Sequence, residues 1–425
     1  MSRPSTTRRG VLAAAGAVLL AGCGTPETID DGSESIRATE LRRLAPEDAD
    51  PIVADELPVK IEQSHLRASA QRVDDLLAAL PIPFGAESVP NGHIRQRLTD
   101  AAGEATERVA AARTAPSRLT ALDELRWARS EARYAAAGWS FADGDLTESD
   151  LRTEHRGILD EAGSFRTEFA YLGVDPIEAA LGYGRAERLL DSALDDRRTP
   201  ARTESSRLLA VAEWGEYVES ARAELSDAQH VYDRVRSTLP DGAGSVADRL
   251  STATETLRTD LQRRRKDLPP EPDGDDRLRW RLWDEIHDGA DSNIERADDP
   301  IGPASGLLAA TEALTALRAA DRLGDRLNGG LDRPETAAAV GDRRATAVDA
   351  ITTALEESPR VDLARPLLAE AARSVRHADD RLTRFDGDVR VTRLDDVIAA
   401  YTAATLQARS VPAACQTTVD AVEES

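Results

Sequence analysis

Cysteine, lysine and aromatic residues are scarce in this 425-residue chain, and each scarcity narrows what it can be. Cys23 and Cys415 are the only cysteines, so stability must come from buried core and not from a disulfide framework. A chain of this length can bury such a core and normally divides into two or three domains. Lys60 and Lys266 are the only lysines among 54 basic residues, which face 77 acids for a net charge of -23. That balance excludes nucleic acid as a partner, because nothing here would neutralise phosphates along a strand. The one basic run, Arg263 to Lys266, falls at a predicted helix end, where cations complement the dipole. Aromatics make up 4% of the chain, and no stretch shows the period-two alternation of a half-buried strand. There is no G-x-S-x-G elbow and no H-E-x-x-H helix. Gly182-Tyr183-Gly184 has no strand before it and no third glycine after it, so it reads as helix packing and not as a phosphate loop.

What is present is helix. Turn clusters at 46–51, 80–92, 142–145, 239–245, 267–276 and 327–334 separate long stretches rich in alanine, leucine, arginine and glutamate. Asn91, Ser117, Asp175-Pro176 and Pro334 supply start signals for helices over 92–114, 118–142, 177–195 and 335–357. The fold class expected is all-α, about ten long antiparallel helices in one or two bundles. The sharpest periodicity covers 207–239. Val211, Val218, Leu225, Tyr232 and Leu239 recur every seven residues, with Trp214, Ala221, Ala228 and Val235 between them, as in a coiled-coil seam. A second stripe, Val246, Leu250, Ala253, Leu257 and Leu261, follows a short turn, so the spacing predicts an antiparallel hairpin over about 200–268. "DLPPEPDGDD" cannot continue a helix. It sets the expected division: a helical domain over 36–268, a linker at 269–276 and a helical bundle over 277–425, with a loop inside one continuous bundle as the alternative.

The first 22 residues contain Arg3, Arg8 and Arg9 but no acid. The apolar run from Val11 to Gly22 spans roughly 18 Å as a helix, short of the ~30 Å hydrocarbon core. It reads as a signal peptide over 1–22 and not as a permanent span. Arg8-Arg9 directly before the run resembles a twin-arginine export signal. Leu20-Ala21-Gly22-Cys23 at its end resembles a lipoprotein lipobox. The resemblance implies cleavage before Cys23, a covalent lipid on its thiol, and a flexible tether over 23–35. It covers only these opening residues. Acid excess with almost no lysine resembles proteins of halophilic archaea, where molar salt shortens the Debye length to about 3 Å and screens self-repulsion.

Three histidines follow an acid by three positions: Glu62 and His65, Asp227 and His230, Asp284 and His287. On a helix this spacing puts both groups on one face, as in di-iron carboxylate bundles. Glu62 with His65, and Asp284 with His287 and Asp291, are therefore the candidate metal ligands, beside the alternative of solvated helix surface. Asp143, Asp145, Thr147, Ser149 and Glu154 stand at calcium-loop spacings. Glu148, however, occupies the position that needs glycine, and a capped helix–helix turn explains the same letters. No organic cofactor is expected. Long regular helices, an anchored address and the lack of a catalytic constellation point to a non-enzymatic interaction module. It would stand on the outer face of the cytoplasmic membrane, with other envelope proteins as partners. A helical lipoprotein that captures a ligand or metal for a transporter or redox system is the alternative.

Overall fold

The computed structural model describes residues 34–45, 51–195, 206–328 and 331–425. Arg8, Arg9, Leu20, Ala21, Gly22, Cys23 and nearly all of the 23–35 segment lie outside the described residues. The chain is all-α. Its first half holds α1 (Ala38–Arg42), α2 (Gln63–Ala78), α3 (Gly92–Arg113), α4 (Arg118–Asp143), α5 (Glu148–Thr167), α6 (Pro176–Leu194) and α7 (Arg207–Ser237). The second half holds α8 (Ala247–Arg264), α9 (Arg277–Asp298), α10 (Pro303–Asn328), α11 (Ala337–Glu357), α12 (Val361–Thr383), α13 (Asp395–Ala408) and α14 (Val411–Glu423). None of the described helices is long and apolar enough to cross a membrane.

The start signals work through side-chain caps. Asn91 Oδ1 accepts from the N–H groups of His93 and Ile94, Ser117 Oγ from that of Thr120, and Asp175 Oδ1 from those of Ile177 and Glu178. The helix expected from 335 begins two residues later, because Thr336, and not Pro334, provides the cap by accepting from the Ala339 N–H.

Two short antiparallel ladders stitch distant segments. β1 (Ser35–Arg37) pairs with β4 (Asp388–Arg390), placing Ile36 opposite Val389. β2 (Leu172–Gly173) pairs with β3 (Gly244–Ser245), placing Leu172 opposite Ser245. The second ladder decides the fate of the hairpin expected over 200–268. The Val246 N–H donates to Tyr171 O at 2.9 Å, so the connection after α7 is tied to the segment before α6 and cannot close as a tight turn. The hairpin does not form. α7 packs on α4, α6 and α5, whereas α8 packs on α10 and α14. The stripes themselves are right: Val211, Val218, Ala221, Leu225, Ala228, Leu250, Leu257 and Leu261 are all buried. Their partners are not each other.

That packing also groups α8 mainly with the helices beyond the 269–276 segment, with only a small contact to α6 before it, where the expected 36–268 domain has it on the other side. The core does not break at 269–276 either. One connected cluster of buried apolar side chains runs from Ile36 to Val422, with α6 packed on α10 across the two halves.

Candidate functional site

A dense polar network lies along α2, α4, α5 and α7. α7 runs antiparallel to α2, and the two meet in rungs. The Glu62 N–H donates to His230 Nε2 at 3.1 Å, His65 Nε2 lies 2.8 Å from Asp227 Oδ1, and Arg72 grips Glu219. The His65 and His230 rings stack at 4.1 Å with their planes 4° apart. Two of the three acid–histidine pairs expected from spacing therefore come together, but as a stacked ring pair and not as a chelate. His230 Nε2 accepts a hydrogen bond and is neutral in this arrangement.

Below these rungs lies a ladder of guanidiniums and carboxylates. Arg72 donates to Glu219 through Nε at 3.2 Å and Nη2 at 2.8 Å, and Arg129 Nε donates to the same carboxylate at 2.9 Å. Glu219 is fully buried. Burial pushes its carboxyl up, but hydrogen bonds from Arg72 and the charges of Arg129 and Arg72 outweigh that and hold it below the usual range. Glu154, on α5, is shared by Arg133 at 3.2 Å and Arg222 at 3.1 Å. Over this ladder opens a polar cleft of about 420 Å³ lined by His65, Ser69, Arg72, Arg129, Arg222 and Ser226, among others.

The other expected ligands are held apart. Asp284 faces Arg281 at 3.7 Å, Asp291 pairs with Arg265 at 2.8 Å, and His287 stacks on Trp283 at 4.3 Å. No group of three or more His, Cys, Asp or Glu placed to hold a metal occurs among the described residues. Glu62 is likewise engaged, by Arg234 at 2.9 Å. The calcium loop is corrected for a local reason. Thr147 and Asp150 form a capping box, each side chain accepting from the other's N–H. α5 thus begins at Glu148, and the chain is helical where a loop would wrap an ion. Ser149 and Glu154 lie on that helix, whereas Asp143 ends α4 and Asp145 sits in the turn. Cys415 is buried, and its thiol is pushed up to about 12 by that burial, so it is not a nucleophile.

The arginine ladder was missed from sequence although its local signal is present. Arg126, Arg129 and Arg133 are spaced by three and four on α4, as are Glu219, Arg222 and Ser226 on α7, which places each set on one helix face.

Two groups in this half make stability depend on pH in opposite senses. Burial and then the charge of His65 lower His230 below its ordinary 6.5. The unfolded chain takes up that proton first, so stability falls as pH drops below about 6.5. Glu131, on the opposite side of α4 from Arg129, is pushed up to about 7 by burial and then by Glu216 and Glu104. The folded chain keeps a proton that the unfolded chain has released, and this contribution is lost as pH rises through about 7. His230→Gln is expected to reduce the fall in urea midpoint between about pH 7 and pH 5. Glu131→Gln is expected to raise the midpoint more at about pH 8 than at pH 5. A pH profile parallel to the parent's in either variant would refute the corresponding assignment.

Comparison with known proteins adds family matches at the level of segments. A family model described as Domain of unknown function (DUF8262) matches residues 64–241, and another described as Domain of unknown function (DUF8264) matches residues 247–420. No curated protein and no solved structure matches the chain. The first matched segment spans nearly all of α2 to α7 and the whole polar ladder. The second spans α8 to nearly the end of α14, and the two meet at the β3 connection.

Proposed function

We propose that the chain is a lipid-tethered, non-enzymatic helical module on the outer face of the cytoplasmic membrane, and that it holds another envelope protein at the cleft between α2 and α7. The supporting observation is the ladder beneath that cleft. Its carboxylates are committed to guanidiniums and are not free to act as bases. The Arg72 and Arg222 side chains remain 36% and 41% exposed. They offer planar N–H donors to a partner's carboxylates or backbone carbonyls. Charged groups on such a rim fix register and choice of partner more than raw affinity. The tether rests on the Arg8-Arg9 and Leu20 to Cys23 signals.

The test places a photo-crosslinking side chain at Ser226 in intact cells kept in their native salt, with Asp386, 92% exposed and paired with Arg42, as the control. One envelope protein captured at Ser226, not at Asp386, and lost in Arg222→Glu is the expected result. Equal capture at both positions, or none, would remove the reading. In the same cells Cys23→Ser is expected to release the protein into the medium or leave the precursor unprocessed. Mature-size Cys23→Ser protein still fractionating with membranes would remove the lipid anchor.

A further inference from the structure

Many arginines in this acidic chain pair with carboxylates, and others donate to backbone carbonyls or hydroxyls, as Arg279 does to Leu327 O and Arg322 to Ser410 Oγ. Arg344 grips Asp379 through both Nε and Nη2, and Arg333 bridges Asp276 and Asp395. Three further arginines in the C-terminal half converge on one cavity. Arg326 comes from the last turn of α10, Arg343 from the second turn of α11, and Arg409 caps the end of α13. Together with Thr346, Thr402 and Thr405 they line a cavity of about 210 Å³ whose walls contain no carboxylate. None of the three makes an ion pair among the described residues. Burial and then the charge of Arg326 lower Arg343 below the ordinary arginine value, with Asp332 pulling the other way.

Helix dipoles account for two of these positions, since the carbonyl end of a helix favours cations. They do not account for Arg343, which sits near the amino end of α11. The threonines add a second constraint. Thr402 Oγ1 donates to Ile398 O at 2.7 Å, Thr405 Oγ1 to Tyr401 O at 2.8 Å, and Thr346 Oγ1 to Asp342 O at 2.7 Å. Their hydrogens are spent on the backbone, so the hydroxyl oxygens remain as acceptors beside three guanidinium donors.

We infer that this cavity binds a small tetrahedral oxyanion, phosphate in preference to sulfate. Guanidinium forks match pairs of phosphate oxygens. Near neutral pH, phosphate also carries a P–OH that can donate to a threonine oxygen, whereas sulfate brings only acceptors to oxygens that have no hydrogen left to give. The volume lies below the roughly 300–1,000 Å³ of drug-sized ligand pockets, which limits the bound part to one phosphate group. Arg409 is exposed, so that group can be a free ion or the terminal phosphate of a lipid headgroup. The inference does not depend on the reading of the α2–α7 cleft.

Calorimetric titration of the full chain with sodium phosphate and with sodium sulfate at matched ionic strength tests it. A parallel arm measures sedimentation with phosphatidylcholine vesicles, with and without phosphatidic acid. Saturable phosphate binding is expected, with sulfate about tenfold weaker and with Arg343→Gln lowering phosphate affinity by about tenfold, or about 1.4 kcal/mol. Without phosphate, Arg343→Gln is expected to unfold at the parent's temperature or higher, because it removes a repelled cation. Added phosphate raises the unfolding temperature of the parent only. Binding confined to phosphatidic acid vesicles and lost in Arg343→Gln assigns the group to a lipid and supports the site. Binding to neither probe, binding equal in parent and variant, or sulfate binding as tightly as phosphate overturns the inference.

Discussion

Glu219→Ala is expected to lower the free energy of unfolding by about 3–5 kcal/mol, the range for removing one partner of a buried ion pair. The reason lies in what remains. Glu219 is fully buried and Arg129 is 6% exposed, so alanine leaves the Arg129 guanidinium in a low-dielectric site without its counter-charge. Arg72 is 36% exposed and can turn toward water, so it adds less to the loss. Glu219→Gln keeps the shape and one acceptor oxygen and should fall between parent and alanine. The diagnostic variant removes both buried charges. Glu219→Leu with Arg129→Met replaces the pair by apolar groups of similar size and should be more stable than Glu219→Ala alone, since neither charge is then stranded. Urea unfolding of the three variants and the parent checks this. A double variant as unstable as Glu219→Ala would show that packing at this site, and not the stranded charge, dominates.

This ladder also marks where sequence reading runs out. The caps at Asn91, Ser117 and Asp175 were legible because each rests on contacts within three residues. The apolar stripes of α7 and α8 were legible because a helix exposes a period that its core neighbours must fill. Which neighbour fills it is a different question. α7 pairs with α4 and α6 and not with α8 through contacts distant in sequence, and the ladder that ties its connection, Leu172–Gly173 with Gly244–Ser245, is too short to leave a pattern in composition. Arg72 and Glu219 are 147 residues apart, so the ladder exists only once the tertiary fold has brought α2 beside α7. The acid–histidine pairs show the same limit from the other side. Spacing placed Glu62 with His65 and Asp227 with His230 on their helix faces, but the stacking of the two rings is a contact between helices. The three arginines around the phosphate-sized cavity come from three different helices, and nothing in their spacing ties them together. Gly182, read from sequence as helix packing, does pack closely: a Cβ built there would lie 2.4 Å from Val235 Cγ2.

Gly215→Ala tests how closely the main pair of helices in the first half is packed. Alanine in place of glycine inside an exposed helix is worth about 1 kcal/mol in its favour, so a stabilised variant would be expected if Gly215 faced solvent. Gly215 is buried against α4. A Cβ added there would lie 2.3 Å from Ala137 Cβ and 3.2 Å from the Arg133 carbonyl oxygen, where carbon atoms pack comfortably at about 3.5–4.0 Å. Ala137 Cβ is fixed to its backbone and has no rotamer to swing away. Relief requires α4 and α7 to separate, and that opens gaps along the neighbouring Ala132, Ala136 and Ala212 contacts, all buried. The clash outweighs the propensity gain, and a net loss of about 1–3 kcal/mol is expected. The partner methyl supplies the control. Ala137→Gly should cost about 1 kcal/mol alone through helix propensity. Combined with Gly215→Ala it moves the methyl from one helix to the other and restores most of the spacing. The double variant should then be more stable than Gly215→Ala alone, with a coupling of at least about 1 kcal/mol, within the range for residues in contact. Additive losses in thermal or urea unfolding would mean that α4 and α7 do not approach at this point, and the antiparallel register that carries the arginine ladder would fall with it.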